Sequence, residues 1–257
     1  MSADFARGKD SERGEIMMNH VTRVENLENY GASLEMPKEA VKAQFRILWT
    51  ALRKQFGLLG ALRVFLDTYL IQRLLRRDFP DTRRRAAAMG KIVENQLFAL
   101  SGIFLALAKR LGRKEAYEFL KIEVIYKTAL TSVPLLYQVS ELKRCEGDVF
   151  ENFKKMNIAL FERTTKDGTW LMERYEDDPD KLTIEVTTCA NVELFSELNV
   201  PELGRFGCDH DVAGFAAIEK DVDCEFRRFC TIANGDDHCL FEFYRRGTAP
   251  DNAHLNI

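Results

Sequence analysis

The residues able to do chemistry gather late in the chain. Cys189, Cys208, His210, Asp211, His238 and Cys239 fall within two segments, TTCANVELFSELNVPELGRFGCDHD (187–211) and RRFCTIANGDDHCLFEF (227–243), which together hold four of the six cysteines and two of the four histidines. A thiol, an imidazole that titrates near neutral pH and an orienting carboxylate form a workable hydrolytic set. The candidate catalytic residues are therefore Cys189, Cys208, His210, Asp211 and Cys239. Cys208 and Asp211 stand where a helix is expected to begin, with Asp209 or Asp211 as its cap. A thiol at such a position is drawn toward the nucleophilic thiolate. The same atoms also suit a divalent metal, zinc or iron, bound through Cys189, Cys208, His210 and Cys239. No C-x-x-C knuckle is present, so such a metal would be catalytic rather than structural. The plainer alternative for each cysteine is packing, because a buried free thiol behaves as a small apolar group.

The second segment reads as a hairpin around Asn234-Gly235-Asp236-Asp237, with strands over 225–233 and 239–244. Alternation puts Cys224, Phe226, Arg228, Cys230 and Ile232 on one face. A two-residue turn at Asn234-Gly235 sets Cys230 opposite Cys239, with Phe241 and Phe243 on the same side. Arg228 is the odd member of that apolar layer and needs an anionic partner: Asp211, Glu242 or a substrate carboxylate.

The elements that must position these residues are mostly helices. Pro37 starts one, since proline at the first helical position loses no hydrogen bond. Phe45, Leu48, Trp49, Leu52 and Phe56 give it an apolar face, Gly57 and Gly60 loosen it, and Phe79-Pro80-Asp81 ends it. Further helices are expected over 82–111, over 114–143 with a break near Pro134, and over 149–163. Strands follow at 169–176 and 182–188 around Asp177-Asp178-Pro179-Asp180, then short helical pieces broken by Pro201 and Gly204. The order predicts an α+β protein: a helical N-terminal body with a small four-stranded antiparallel sheet and short helices at the C-terminus. In domain terms this gives a mobile arm (1–35), a helical region (36–165), an α+β region carrying the site (166–247) continuous with it, and a loose tail (248–257).

Composition narrows the function. At 257 residues, 46% apolar and 30% charged, the chain has the make-up of an ordinary globular protein with a sizeable core. A formal net charge of −3 gives no reason to expect nucleic acid. The arginines at 73, 76, 77 and 83–85 read as solvated helix ends. The N-terminus has no secretory h-region, and no apolar run reaches the length of a membrane span. A cytoplasmic protein with reduced thiols and a small-molecule substrate is expected, with no membrane partner. The leucine-rich helical half suits a homodimer. No P-loop, G-x-G-x-x-G, G-x-S-x-G or H-E-x-x-H motif is present.

Taken together, Cys189, Pro201-Glu202-Leu203-Gly204, Cys208-x-x-Asp211, Arg228-x-x-Thr231 and Gly235-Asp236-x-x-Cys239-x-Phe241 resemble the L-2-amino-thiazoline-4-carboxylate hydrolase family over roughly the last ninety residues. The resemblance implies hydrolytic opening of a cyclic amidine that carries a carboxylate, acting on a carbon–nitrogen bond other than a peptide bond. Attack at the C=N carbon then needs a cysteine thiolate or a metal-bound hydroxide. Arg228, Thr231 and Asn191 are the expected substrate-binding residues. The same ending also resembles the vinyl-reductase-type ligand-binding domains, which makes a non-catalytic small-molecule or metal-binding sensor or carrier the competing expectation.

Overall fold

The computed structural model describes residues 38–250; the expected arm and the tail beyond 250 lie outside the described residues. Helix α1 (Lys38–Asp78) kinks at Gly57, whose φ of 68° belongs to the left-handed region where glycine carries no Cβ penalty. The expected helix over 82–111 is instead two. Gly90, at φ 138°, separates α2 (Pro80–Met89) from α3 (Lys91–Leu111). By length and composition alone α3 could cross a membrane, further than the sequence reading allowed, and half of that apolar stretch is buried against the rest of the chain.

Helix α4 (Arg113–Leu120) runs through a π-helical turn (Lys121–Ile125) into α5 (Tyr126–Leu136). Pro134 sits in the last turn of α5 and the helix ends two residues on, short of the expected 143. The short α6 (Val139–Leu142) leads to α7 (Val149–Asp167). Asp148 caps α7 by accepting from the Glu151 amide at 3.0 Å, and Gly168 closes it in the left-handed conformation.

Strands β1 (Trp170–Asp178) and β2 (Lys181–Cys189) meet at a two-residue Pro179-Asp180 turn. Helix α8 (Ala190–Glu197), a 3-10 turn (Pro201–Arg205) and α9 (Phe206–Ile218) follow. The chain closes with β3 (Cys224–Arg227) and β4 (Cys239–Arg245). All neighbours in the sheet are antiparallel, in the order β1-β2-β4-β3. The expected α+β architecture is present.

Two apolar clusters result. One gathers α1 to α4 with α8 and the 3-10 turn, through residues such as Phe98, Phe104, Leu194, Phe195 and Leu203. The other lies between one face of the sheet and α7 and α9. Phe161 packs on Phe241 with ring centroids 4.7 Å apart, and Phe215 on Phe226 at 4.6 Å. Helix α9 belongs to both clusters: Phe206 packs against the first, Phe215 and Ile218 within the second. Gly214 lets α9 approach α5, because a Cβ there would lie 2.9 Å from Val133 Cβ and closer still to Cγ2.

Gly214→Ala is therefore expected to cost about 1–3 kcal/mol in urea unfolding. Val133→Ala in the same chain should recover part of that loss; a G214A protein within about 0.3 kcal/mol of wild type would mean the helices can move apart freely.

Candidate active site

The carboxyl end of β2, the starts of α8 and α9 and the strand pair β3–β4 meet at one small cavity. Its walls are Trp170, Val186, Cys189, Asn191, Gly204, Gly207, Cys208, Asp211, Arg228, Cys239 and Phe241, and it has room for about one water molecule. Gly204 lets the backbone close in. A Cβ on Gly204 would sit 3.3 Å from Val192 Cα, whereas one on Gly207 would make only an ordinary contact, 3.5 Å from Asn191 Nδ2.

Arg228 is the central group. It is 2% exposed, its Nη1 donates to Asp211 Oδ2 at 3.1 Å, and its Nη2 approaches Cys208 Sγ at 3.6 Å. The guanidinium lies 3.7 Å from the centroid of the Phe241 ring, whose π face attracts a cation. Of the partners expected for Arg228, Asp211 is the one found. Glu242 instead pairs with Lys181 at 2.5 Å.

Cys208 and Asp211 are three residues apart in the first turns of α9, so both face the arginine. Burial raises Asp211 to about 6, with Arg228 acting against it. Burial also pushes Cys208 up to about 12, opposed by Arg228 and reinforced by Asp211. Cys189 is raised too, chiefly by burial; the Val192 and Asn191 amides at the start of α8 oppose this without forming a cap hydrogen bond. The lowering expected for Cys208 is thus reversed, because enclosure outweighs the helix terminus and the nearby cation. Cys239 Sγ accepts from the Ile232 amide at 3.3 Å.

His210 is not part of this group. Its Nε2 lies 2.8 Å from Ser132 Oγ on α5. The Ser132 hydroxyl gives its one proton to Thr128 O at 2.7 Å, so the imidazole must be the donor, with its proton on Nε2. Burial lowers His210 to about 4. His238 pairs with its neighbour Asp237. Thr231 is fully buried and off the cavity wall; its amide donates to Asp236 Oδ2 at 2.7 Å, while its hydroxyl has no partner among the described residues.

Neither Asp209 nor Asp211 caps α9, which runs straight out of the 3-10 turn. Asp209 is a fully buried carboxyl group facing the helical side. Tyr117 donates to its Oδ2, and Lys121 and Arg205 stand 3.4 and 3.9 Å away. Strand β3 also stops earlier than expected, at Arg227. A 3-10 turn at Ile232–Asn234 and a left-handed Gly235 replace the two-residue turn. The register nonetheless pairs Phe226 with Phe243, and the Leu240 amide bonds Cys230 O at 3.3 Å, which keeps Cys230 beside Cys239. Trp170, which the sequence reading passed over, faces the site because it is paired with Cys189 across β1–β2. All six cysteines are free. Among the described residues no group of three or more His, Cys, Asp or Glu side chains is arranged to hold a metal ion. The expected zinc or iron set is not assembled: three thiols share the cavity and His210 is committed to Ser132.

Residues 91–243 match the model of the family described as L-2-amino-thiazoline-4-carboxylic acid hydrolase. The chain belongs to that family. The match begins at the first residue of α3 and ends in β4, so it takes in much of the helical body as well as every cavity residue, well beyond the C-terminal motifs. No curated protein and no solved structure matches the chain.

The two ionisable neighbours on α9 oppose each other in stability. His210 falls from 6.5 to about 4 on folding, so below pH 6.5 the unfolded chain takes up a proton that the folded one refuses. That stability is present above pH 6.5 and is lost as pH falls through 4, by up to about 3 kcal/mol. Asp211, raised to about 6, works the other way, favouring the fold as pH drops below 6. His210→Gln should therefore gain stability relative to wild type between pH 6.5 and 4, as read by denaturant midpoints at each pH. A pH-independent difference between the two proteins would contradict the buried neutral imidazole.

Proposed function

We propose that this cavity hydrolyses a small cyclic amidine bearing a carboxylate, at its C=N carbon, with Cys208 as nucleophile and Asp211 as general base. The observation that carries this is the guanidinium of Arg228 held between the Asp211 carboxylate and the Cys208 sulfur at the cavity wall. A thiol pushed up to about 12 holds no standing thiolate at neutral pH. It can still attack if its proton passes to a carboxylate during bond formation, and a carboxyl raised to about 6 is a stronger base than an ordinary aspartate.

The step begins with the Cys208 Sγ–H proton passing to Asp211 through a water in the cavity as sulfur bonds to the C=N carbon, placing the electron pair on the ring nitrogen. Arg228 balances the negative charge that develops. The ring carbon–nitrogen bond then breaks: the Asp211 proton and one from the exocyclic amino group pass to the leaving ring nitrogen, and the exocyclic nitrogen closes a new C=N bond, so the opened substrate stays bonded to Cys208. Water then displaces the thiol and restores both residues. The substrate's two charged groups match the opposed charges of Arg228 and Asp211, and Asn191 adds an amide to the wall. The cavity has to widen to admit the ring.

A second reading has its own support. Burial raises both Cys189 and Cys208, as expected of a ligand carrier whose thiols only pack.

The test is turnover of 2-aminothiazoline-4-carboxylate by the purified protein. Cys208→Ala should abolish it. Asp211→Asn should lower kcat/KM by about 10²–10⁴-fold. The wild-type profile should fall as pH drops through about 6, and D211N should lose that limb. Unchanged turnover in both Cys208→Ala and Cys239→Ala would refute thiol catalysis. Saturable binding of the compound without turnover would hand the site to the carrier reading.

A further inference from the structure

Helix α1 is apolar on two opposite faces. Beyond Gly57 it buries Ala61, Val64, Ile71 and Leu75 in the helical core. Its other side carries Leu59, 72% exposed, with Leu62, Leu66, Tyr69, Leu70 and Leu74 each about half exposed. A surface helix normally turns a polar face to water; one that is apolar all round is covered on both sides. These six side chains leave on the order of 600 Å² of apolar surface open, at the upper end for a monomer and approaching the ~800 Å² per partner of a specific interface once the flanking arginine stems are added.

The spacing and the charges select the occupant. Leu59, Leu62, Leu66 and Tyr69 recur three and four apart, a stripe along one helix face that Leu70 and Leu74 widen and Arg73 continues. Arg63, Arg73 and Arg77 are exposed on or beside the stripe, and Arg73 lies 5.8 Å from the Tyr69 ring centroid. The acidic residue within the stretch, Asp67, is bonded to Arg110 at 2.7 Å. Parallel pairing of two such helices would set Arg73 against Arg73. Antiparallel pairing about Leu66, midway between Leu59 and Arg73, moves the two Arg73 side chains apart, places Leu62 opposite Leu70 and sets Arg63 opposite Tyr69, whose ring face attracts a cation. The stripe is then complementary to itself, which a two-fold interface requires.

We infer that the stripe from Leu59 to Leu74 is a self-association surface, on which a second copy of this chain packs as an antiparallel two-fold pair with Leu66 at the axis.

Sedimentation of the full chain over a wide concentration range should show a dimer. Leu66→Glu should weaken it by about tenfold or more at unchanged circular dichroism. Should that variant misfold, cysteine pairing decides. Under mild oxidation Leu66→Cys should give a covalent dimer with itself, Leu59→Cys should cross-link to Arg73→Cys, and Arg73→Cys alone should not self-link. A wild-type chain that stays monomeric at every concentration overturns the inference. So does a dimer indifferent to Leu66→Glu, a self-linking Arg73→Cys, or a monomer that binds anionic vesicles through these leucines.

Discussion

One buried cation organises the functional half of this protein. An arginine withdrawn from water costs several kcal/mol of hydration, recovered only if its charge is matched and its donors are used. Arg228 meets most of that demand from three groups: the Asp211 carboxylate from α9, the Phe241 ring from β4 and the Cys208 sulfur from the first turn of α9, while its Nε has no partner among the described residues. Satisfying the arginine therefore fixes where α9 stands on the end of the sheet. The thiol and the carboxylate are carried there with it.

The helical body holds the same turn from behind. Asp209, beside Cys208 in sequence, points away from the cavity into Tyr117, Lys121 and Arg205. A local widening of the α4–α5 run at Lys121–Ile125 places one of those cations; such π turns recur where a side chain must be re-aimed at a functional site. Successive residues of α9 thus answer to two different cores, with Cys208 at their seam. Enclosure is also why the site is electrostatically quiet at rest. Burial holds the Cys189 and Cys208 thiols above their ordinary range, and the carboxyl is poised near 6 rather than near 4.

Much of this was legible in the sequence. Alternation over 224–228 put Arg228 on the buried face, and Asp211 was among its expected partners. The strand positions, the breaks at Pro201 and Gly204 and the cluster of Cys189, Cys208 and Cys239 also followed from local pattern. Other features did not. His210 was grouped with the site by nearness in sequence, yet two residues along a helix is more than half a turn, and it faces Ser132 instead. The break at Gly90 depends on a backbone angle that composition does not reveal. The end of β3 reflects the Thr231 amide turning to Asp236, a loop contact with no periodic signature. The raised thiols were missed because burial is a tertiary quantity, and here it outweighs the helix terminus that the sequence made visible.

The most direct measurement of the central claim is a double-mutant cycle on the Arg228–Asp211 pair, read from urea unfolding of wild type, Arg228→Met, Asp211→Leu and the double variant. Asp211→Leu leaves the buried Arg228 charge without its partner and should cost about 3–5 kcal/mol; Arg228→Met should cost less, because the Asp211 side chain is partly exposed and can take up a proton. The double variant should be more stable than the sum of the singles predicts, by about 2 kcal/mol or more. Costs that add within about 0.5 kcal/mol would show that the two residues act independently, and that the junction is held by something other than this pair.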